Sequence, residues 1–151
     1  MKEKIRYGGF DPSPYGKGAA KALAEGTGDC TEFSDLMAAL CRARSIPARC
    51  VAGLFARPGT TVPQHSWVEV HLAGLGWVPF DPTVDVCAHR ATFETLGPWY
   101  LALTTTRNDE ILDNFTFNVF RWWGDPVKIA REVYEVLPVP PAIRSGKTRE
   151  F

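Results

Sequence analysis

Apolar residues recur with a helical period over one well-marked stretch of the chain. Phe33, Leu36, Met37, Leu40 and Cys41 stand at i, i+3, i+4, i+7 and i+8, which predicts one apolar stripe facing a core. Asp29 followed three residues later by Glu32 is an Asp variant of the capping box and places the helix start at Asp29. Pro47 disfavours the α conformation at Ile46, so the helix ends near Ser45. A shorter Ala-rich helix is expected over Lys17 to Glu25, ended by Gly26.

Beyond Pro47 the period changes to two. Arg49 to Ala56 is a short apolar stretch, and His65 to Leu72 sets His65, Trp67, Glu69 and His71 against Ser66, Val68, Val70 and Leu72. Trp77 to Asp81 follows a turn containing Gly74 and Gly76, so the two runs read as a hairpin. Trp99 to Thr105 and Asn114 to Trp123 are further strand candidates, rich in aromatic and β-branched residues. Asp125-Pro126 opens a last helix running to about Val136. Pro and Gly cluster at 8–18, at 58–63 and from Pro138 onward, and these stretches read as loops. Helices first and a mostly antiparallel sheet after them make an α+β domain.

Composition narrows the function classes. The chain has 151 residues, a length that predicts one domain, with 45% hydrophobic and 23% charged residues, which excludes a disordered chain. Seventeen basic and 17 acidic residues balance, leaving no electrostatic footprint for nucleic acid or an anionic membrane surface. Apolar runs such as Leu36 to Cys41 fall far short of the ~20 residues of a membrane span. The start, Met1 to Arg6, leads into glycines and prolines and not into an apolar signal segment. A cytoplasmic protein with reduced thiols is expected. No CxxC pair accompanies the four cysteines, Cys30, Cys41, Cys50 and Cys87, and no D-x-D-x-D-G calcium loop occurs. Neither a metal nor another cofactor is expected.

Cys30 falls at the first position of the capped helix, where free backbone N–H groups and the macrodipole favour a thiolate. Cys41 on the apolar stripe and Cys50 within a strand read as core. His65 opens a strand after a Gly/Pro-rich loop, and Asp81 closes the next strand of the same hairpin. Such a trio supplies nucleophile, base and orienting group, although a chain of this size contains several such trios. His71 shares a strand face with His65 but stands about 20 Å away at ~3.3 Å per residue. A metal module built on Cys30, Cys87, His65 and His89 is the rival reading, disfavoured by irregular spacing.

Three motifs carry a family resemblance. Gly28-Asp29-Cys30 opens the helix and Arg42-Ala43-Arg44-Ser45-Ile46-Pro47-Ala48-Arg49 follows it. His65-Ser66-Trp67-Val68-Glu69-Val70 and Gly76-Trp77-Val78-Pro79-Phe80-Asp81-Pro82-Thr83 complete the set. In that order they resemble the transglutaminase-like superfamily, closely over residues 26–83 and loosely over about 1–125. Arg107-Asn108-Asp109-Glu110 is similar to a weaker G-R-D segment, with Thr106 in place of its Gly, and Ser45 stands where the family usually has Gly. The family carries a longer helix before the tyrosine that Ile5-Arg6-Tyr7 matches, so this sequence fits either a fragment or a minimal member. The resemblance implies a papain-like fold, Cys30 as nucleophile, His65 as base and Asp81 as orienter. It also implies acyl transfer from an amide or glutamine-type carbonyl of a protein or peptide through a thioester, with hydrolysis favoured over amine cross-linking. The alternative is a non-catalytic binding scaffold, against which the intact trio argues. Gln64, Tyr15 and Trp67 are candidates for oxyanion or substrate binding, alongside the backbone N–H of Cys30.

Strand parity turns the trio into a geometric expectation. Opposed residues of an antiparallel pair have a constant number sum and share a face. A sum of 149 would put Asp81 opposite Val68, away from His65. A sum of 148 pairs His71 with Trp77, sets His65 diagonal to Asp81 on one face, and requires a three-residue loop, Ala73-Gly74-Leu75, or a five-residue one.

Overall fold

Helix α2 (Cys30–Ala43) starts where the capping box placed it. The Asp29 carboxylate accepts from the Thr31 N–H at 2.8 Å, and Glu32 Oε2 accepts from the Asp29 N–H at 3.0 Å. Glu32 is buried, and its Oε1 accepts from the Lys17 N–H at 3.0 Å, tying the chain ahead of the first helix to the start of α2. At the other end the Ser45 N–H bonds the Arg42 carbonyl and the Ile46 N–H bonds the Cys41 carbonyl, the paired bonds of a Schellman motif. That motif needs a left-handed residue, and Ser45 takes the position with φ 59°. A side chain in this conformation costs about 1 kcal/mol relative to glycine. Ser45→Gly is therefore expected to raise stability by about 0.5–1 kcal/mol, read as a thermal midpoint higher by roughly 2–4 °C.

The computed structural model describes residues 3–8, 16–56, 64–87 and 96–111, together with positions 123–125, 127–128 and 133. Around α2 lie β1 (Arg6–Tyr7), α1 (Gly18–Glu25), β2 (Thr27–Gly28), β3 (Ala48–Phe55), β4 (Gln64–Leu72), β5 (Gly76–Phe80), α3 (Pro82–Cys87) and β6 (Tyr100–Thr104). The four long strands form an antiparallel sheet in the order β5-β4-β3-β6. Met37, Ala38 and Cys41 of α2 pack with Ala48, Cys50, Val68, Val70, Leu72 and Phe80 of that sheet. Phe33 and Leu36 turn to a second cluster with Ile5 and Ala22, so the stripe divides between two neighbours. Leu40 corrects the expectation of a fully covered stripe. It is 48% exposed, outside both clusters, in the last turn of a helix whose partners Ile5 and Ala22 close over Phe33 and Leu36.

Three elements, β1, β2 and α3, were not anticipated. β1 pairs in parallel with β2, Arg6 with Thr27 and Tyr7 with Gly28, and buries Ile5 beside the entry to α2. α3 follows β5 directly, with Pro82 as its first residue. The strand expected over Asn114 to Trp123 and the helix from Asp125 to Val136 lie outside the described residues but for isolated positions.

The hairpin has the 148 register: Val68 pairs with Phe80, Val70 with Val78, His71 with Trp77, and Leu72 with Gly76. Ala73, Gly74 and Leu75 form the loop, in which Gly74 at φ 80° and Gly76 at φ 76° take left-handed conformations that a side chain disfavours.

Candidate active site

Asp81 is the structural hinge of the site. It follows β5 immediately and has no exposed surface. Its Oδ1 accepts from the backbone N–H groups of Thr83 at 3.0 Å and Val84 at 3.1 Å, so the carboxylate caps α3. Its Oδ2 lies 2.7 Å from His65 Nε2 and accepts from the Tyr100 hydroxyl at 2.6 Å. At least four donors from the described residues thus converge on one buried carboxylate. Burial disfavours its charge most, yet His65, Tyr100 and the α3 backbone prevail and hold the carboxyl below its ordinary range.

His65 Nε2 is taken up by Asp81, which leaves Nδ1 as the nitrogen that can meet a thiol. Cys30 stands partly exposed at the first position of α2, and it is one of the groups that act on the charge of the ring. Burial of the ring opposes its charge more than any other single influence. The hydrogen bonds and charges of Asp81 and Cys30 together outweigh it and raise the imidazolium from 6.5 to about 9. The raised value favours the imidazolium over the neutral ring.

This has a consequence for stability whose sign follows from linkage. A pKa raised on folding stabilises fully below 6.5 and loses that contribution as pH rises through about 9. Asp81, depressed on folding, contributes above 3.8 and loses its share as pH falls through its native value. The rise of the imidazolium from 6.5 to about 9, counted once, corresponds to roughly 3 kcal/mol. Urea midpoints of the native protein are expected to fall between pH 6.5 and pH 9.5, and those of His65→Ala to stay nearly level.

The other expected site residues are placed unevenly. Gln64 is half-buried beside His65 at the start of β4. Trp67 is 3% exposed, too little to line a cleft; its ring stacks on His65 at 6.3 Å and meets Tyr100 edge-on at 5.3 Å. Trp67 thus backs the imidazole and presents no contact surface to a substrate. Tyr15 lies outside the described residues, as do His89 and the side chain of Cys87 from the rival metal reading. His71 is exposed at the far end of β4 with its ring against Trp77 at 5.3 Å.

The remaining motif residues prove structural. Arg49 Nε bonds Glu69 Oε2 at 2.7 Å across the β3–β4 pair, and its guanidinium stands 4.2 Å over the Trp77 ring. Arg107 reaches Asp35 of α2 at 2.6 Å, and the Cys50 thiol donates to the other Asp35 oxygen at 3.3 Å. Burial, aided by Asp35, pushes the Cys50 thiol up to about 12, and burial also raises Cys41. Tyr100 went unnoticed in the sequence. It falls inside an anticipated strand, but no motif singles it out and no loop length fixes the register of that strand.

The signature of the transglutaminase-like superfamily matches residues 1–82, a span that includes Cys30, His65 and Asp81. An uncharacterized protein of Bacillus subtilis strain 168, YebA, is 39% identical over a 69-residue alignment covering 37% of this chain. The match takes in 9% of YebA. A crystal structure from Cytophaga hutchinsonii, provisionally described as a cysteine protease, is 28% identical, with a TM-score of 0.42. That likeness covers 64% of this chain and 32% of the other, so this chain spans only a fraction of either relative. With more than half of its length matched and the α+β fold in place, the chain belongs to the transglutaminase-like superfamily, a family of cysteine-dependent chemistry.

Proposed function

We propose that this domain hydrolyses an amide bond of a protein or peptide through a Cys30 thioester. The observation that carries the reading is the buried His65 Nε2–Asp81 Oδ2 pair at 2.7 Å, with Cys30 at the capped start of α2 among the groups that act on the ring. His65 Nδ1 takes the thiol proton as the sulfur attacks the carbonyl carbon. As the tetrahedral adduct collapses, the C–N bond breaks and the ring proton passes to the leaving amine. Water then gives its proton to the ring and attacks the thioester, releasing the acid and the thiol. The Cys30 N–H at the start of α2 is the oxyanion donor we assign, with Gln64, the residue before His65 in β4, as a second. We assign water as acceptor, a single domain and a cytoplasmic location, in which thiols stay reduced. Among the described residues no helix is long and apolar enough to cross a membrane.

Intact-mass analysis during iodoacetamide treatment at pH 7 tests the nucleophile. The native protein should gain one adduct rapidly, and Cys30→Ala should gain none in the same interval. His65→Ala should slow that adduct at least tenfold. Equal labelling of Cys30 and Cys41 would leave the scaffold reading in its place.

A further inference from the structure

The Tyr100 hydroxyl ends on the same carboxylate oxygen, Asp81 Oδ2, that faces His65 Nε2. Tyr100 is the first residue of β6, whose place is set by pairing with Phe55 of β3 and by the Ala56 N–H bonded to the Trp99 carbonyl at 2.7 Å. Its ring lies 5.0 Å from Phe55, 5.3 Å from Trp67 and 5.9 Å from His65, in tilted or edge-on contacts. Three aromatic rings therefore enclose the imidazole, and only one of them brings a polar atom to the carboxylate.

We propose that Tyr100 is a positioning residue, whose hydroxyl holds Asp81 Oδ2 in line with the His65 Nε2–H and draws off part of the carboxylate charge. This rests on the reading of Cys30 and His65 as nucleophile and base. Among the described residues the titratable groups facing the ring are Cys30 from α2, Asp81 between β5 and α3, and Tyr100 from β6. With Oδ1 committed to the α3 backbone, Oδ2 alone serves the ring, so whatever else bonds Oδ2 tunes both the direction and the charge that the ring meets. A hydroxyl at 2.6 Å is a short, charge-assisted bond of that kind. Without it more of the carboxylate charge falls on His65, the ring holds its proton more tightly, and the oxygen is freer to leave the line to Nε2.

Tyr100→Phe keeps the ring contacts and removes only the hydroxyl. The deciding measurement is the NMR titration of the His65 ring in isotope-labelled protein. It should move up by half a unit or more in Tyr100→Phe, and down when 3-fluorotyrosine, a more acidic phenol, occupies position 100. The fluorinated protein keeps the native contacts and decides the question should the Phe variant fail to fold. Acylation of Cys30 by p-nitrophenyl acetate should slow about tenfold in Tyr100→Phe. A ring titration coinciding with the native one in the variant that folds overturns the proposal, whatever the rate does. If the native protein shows no selective labelling of Cys30 while the titration still moves, the nucleophile reading fails and the tie between Tyr100 and the ring stands.

Discussion

Asp81→Asn is expected to fold and to acylate Cys30 roughly a thousandfold or more slowly than the native protein. The two carboxylate oxygens have separate duties, and the substitution treats them differently. Oδ1 faces two backbone N–H donors at the start of α3 and requires an acceptor. The Asn side chain therefore keeps its carbonyl there and turns its NH2 toward His65 Nε2 and Tyr100. A donor facing Nε2 demands a lone pair on that nitrogen, which places the ring proton on Nδ1, the atom that must receive the Cys30 proton. The cap survives and the base is lost. The ion pair goes as well, so the imidazolium held at about 9 in the native protein should titrate lower. Acylation rates with p-nitrophenyl acetate, thermal melts and ring nitrogen shifts check the three parts separately. A rate within tenfold of native would reduce Asp81 to its capping role.

That double duty illustrates what a sequence can and cannot disclose. Orienter and strand-end cap are alternatives when a residue is read from its neighbours in the chain, whereas in space Asp81 serves His65 and α3 through different oxygens. Helix α2 was legible because several local signals agree: a capping box, an apolar period and a proline just past the end. The hairpin register followed from parity, since a short loop leaves few sums and only 148 keeps His65 and Asp81 on one face. β1 and β2 have two residues each, too few for any period, and α3 has six. Leu40 obeys the same period as Leu36, and only the placement of Ile5 and Ala22 shows which of them is covered. Tyr100 escaped because the 19 residues between β5 and β6 carry no arithmetic linking Asp81 to a strand three places away in the sheet.

The same placement of β6 makes Gly53 the position where a single methyl should do most harm to the fold. Gly53→Ala is expected to cost ~3 kcal/mol or more, at or beyond the upper end of ordinary overpacking. A Cβ there would fall 2.2 Å from the Leu101 carbonyl oxygen and 2.6 Å from Trp67 Cη2, both far inside contact distance. The obstruction on one side is backbone, so no rotamer change relieves it, and β6 must separate from β3. It sits at the β-bulge where the β3–β6 register shifts between Ala52 and Gly53, and it pairs with His65 across β3–β4. The damage therefore spreads to three parts of the site: the Trp67 ring behind His65, the strand bearing Tyr100, and the start of β4. Gly74→Ala is the instructive contrast. Its Cβ meets nothing within 4 Å, and the cost is confined to holding φ at 80°, about 1 kcal/mol. Urea denaturation should separate the two variants by at least ~2 kcal/mol. Near-UV circular dichroism should show a changed tryptophan environment in Gly53→Ala alone, and Cys30 labelling should slow only there. Equal stability losses in the two would mean that β3 and β6 are not in the close contact that presents Tyr100 to Asp81.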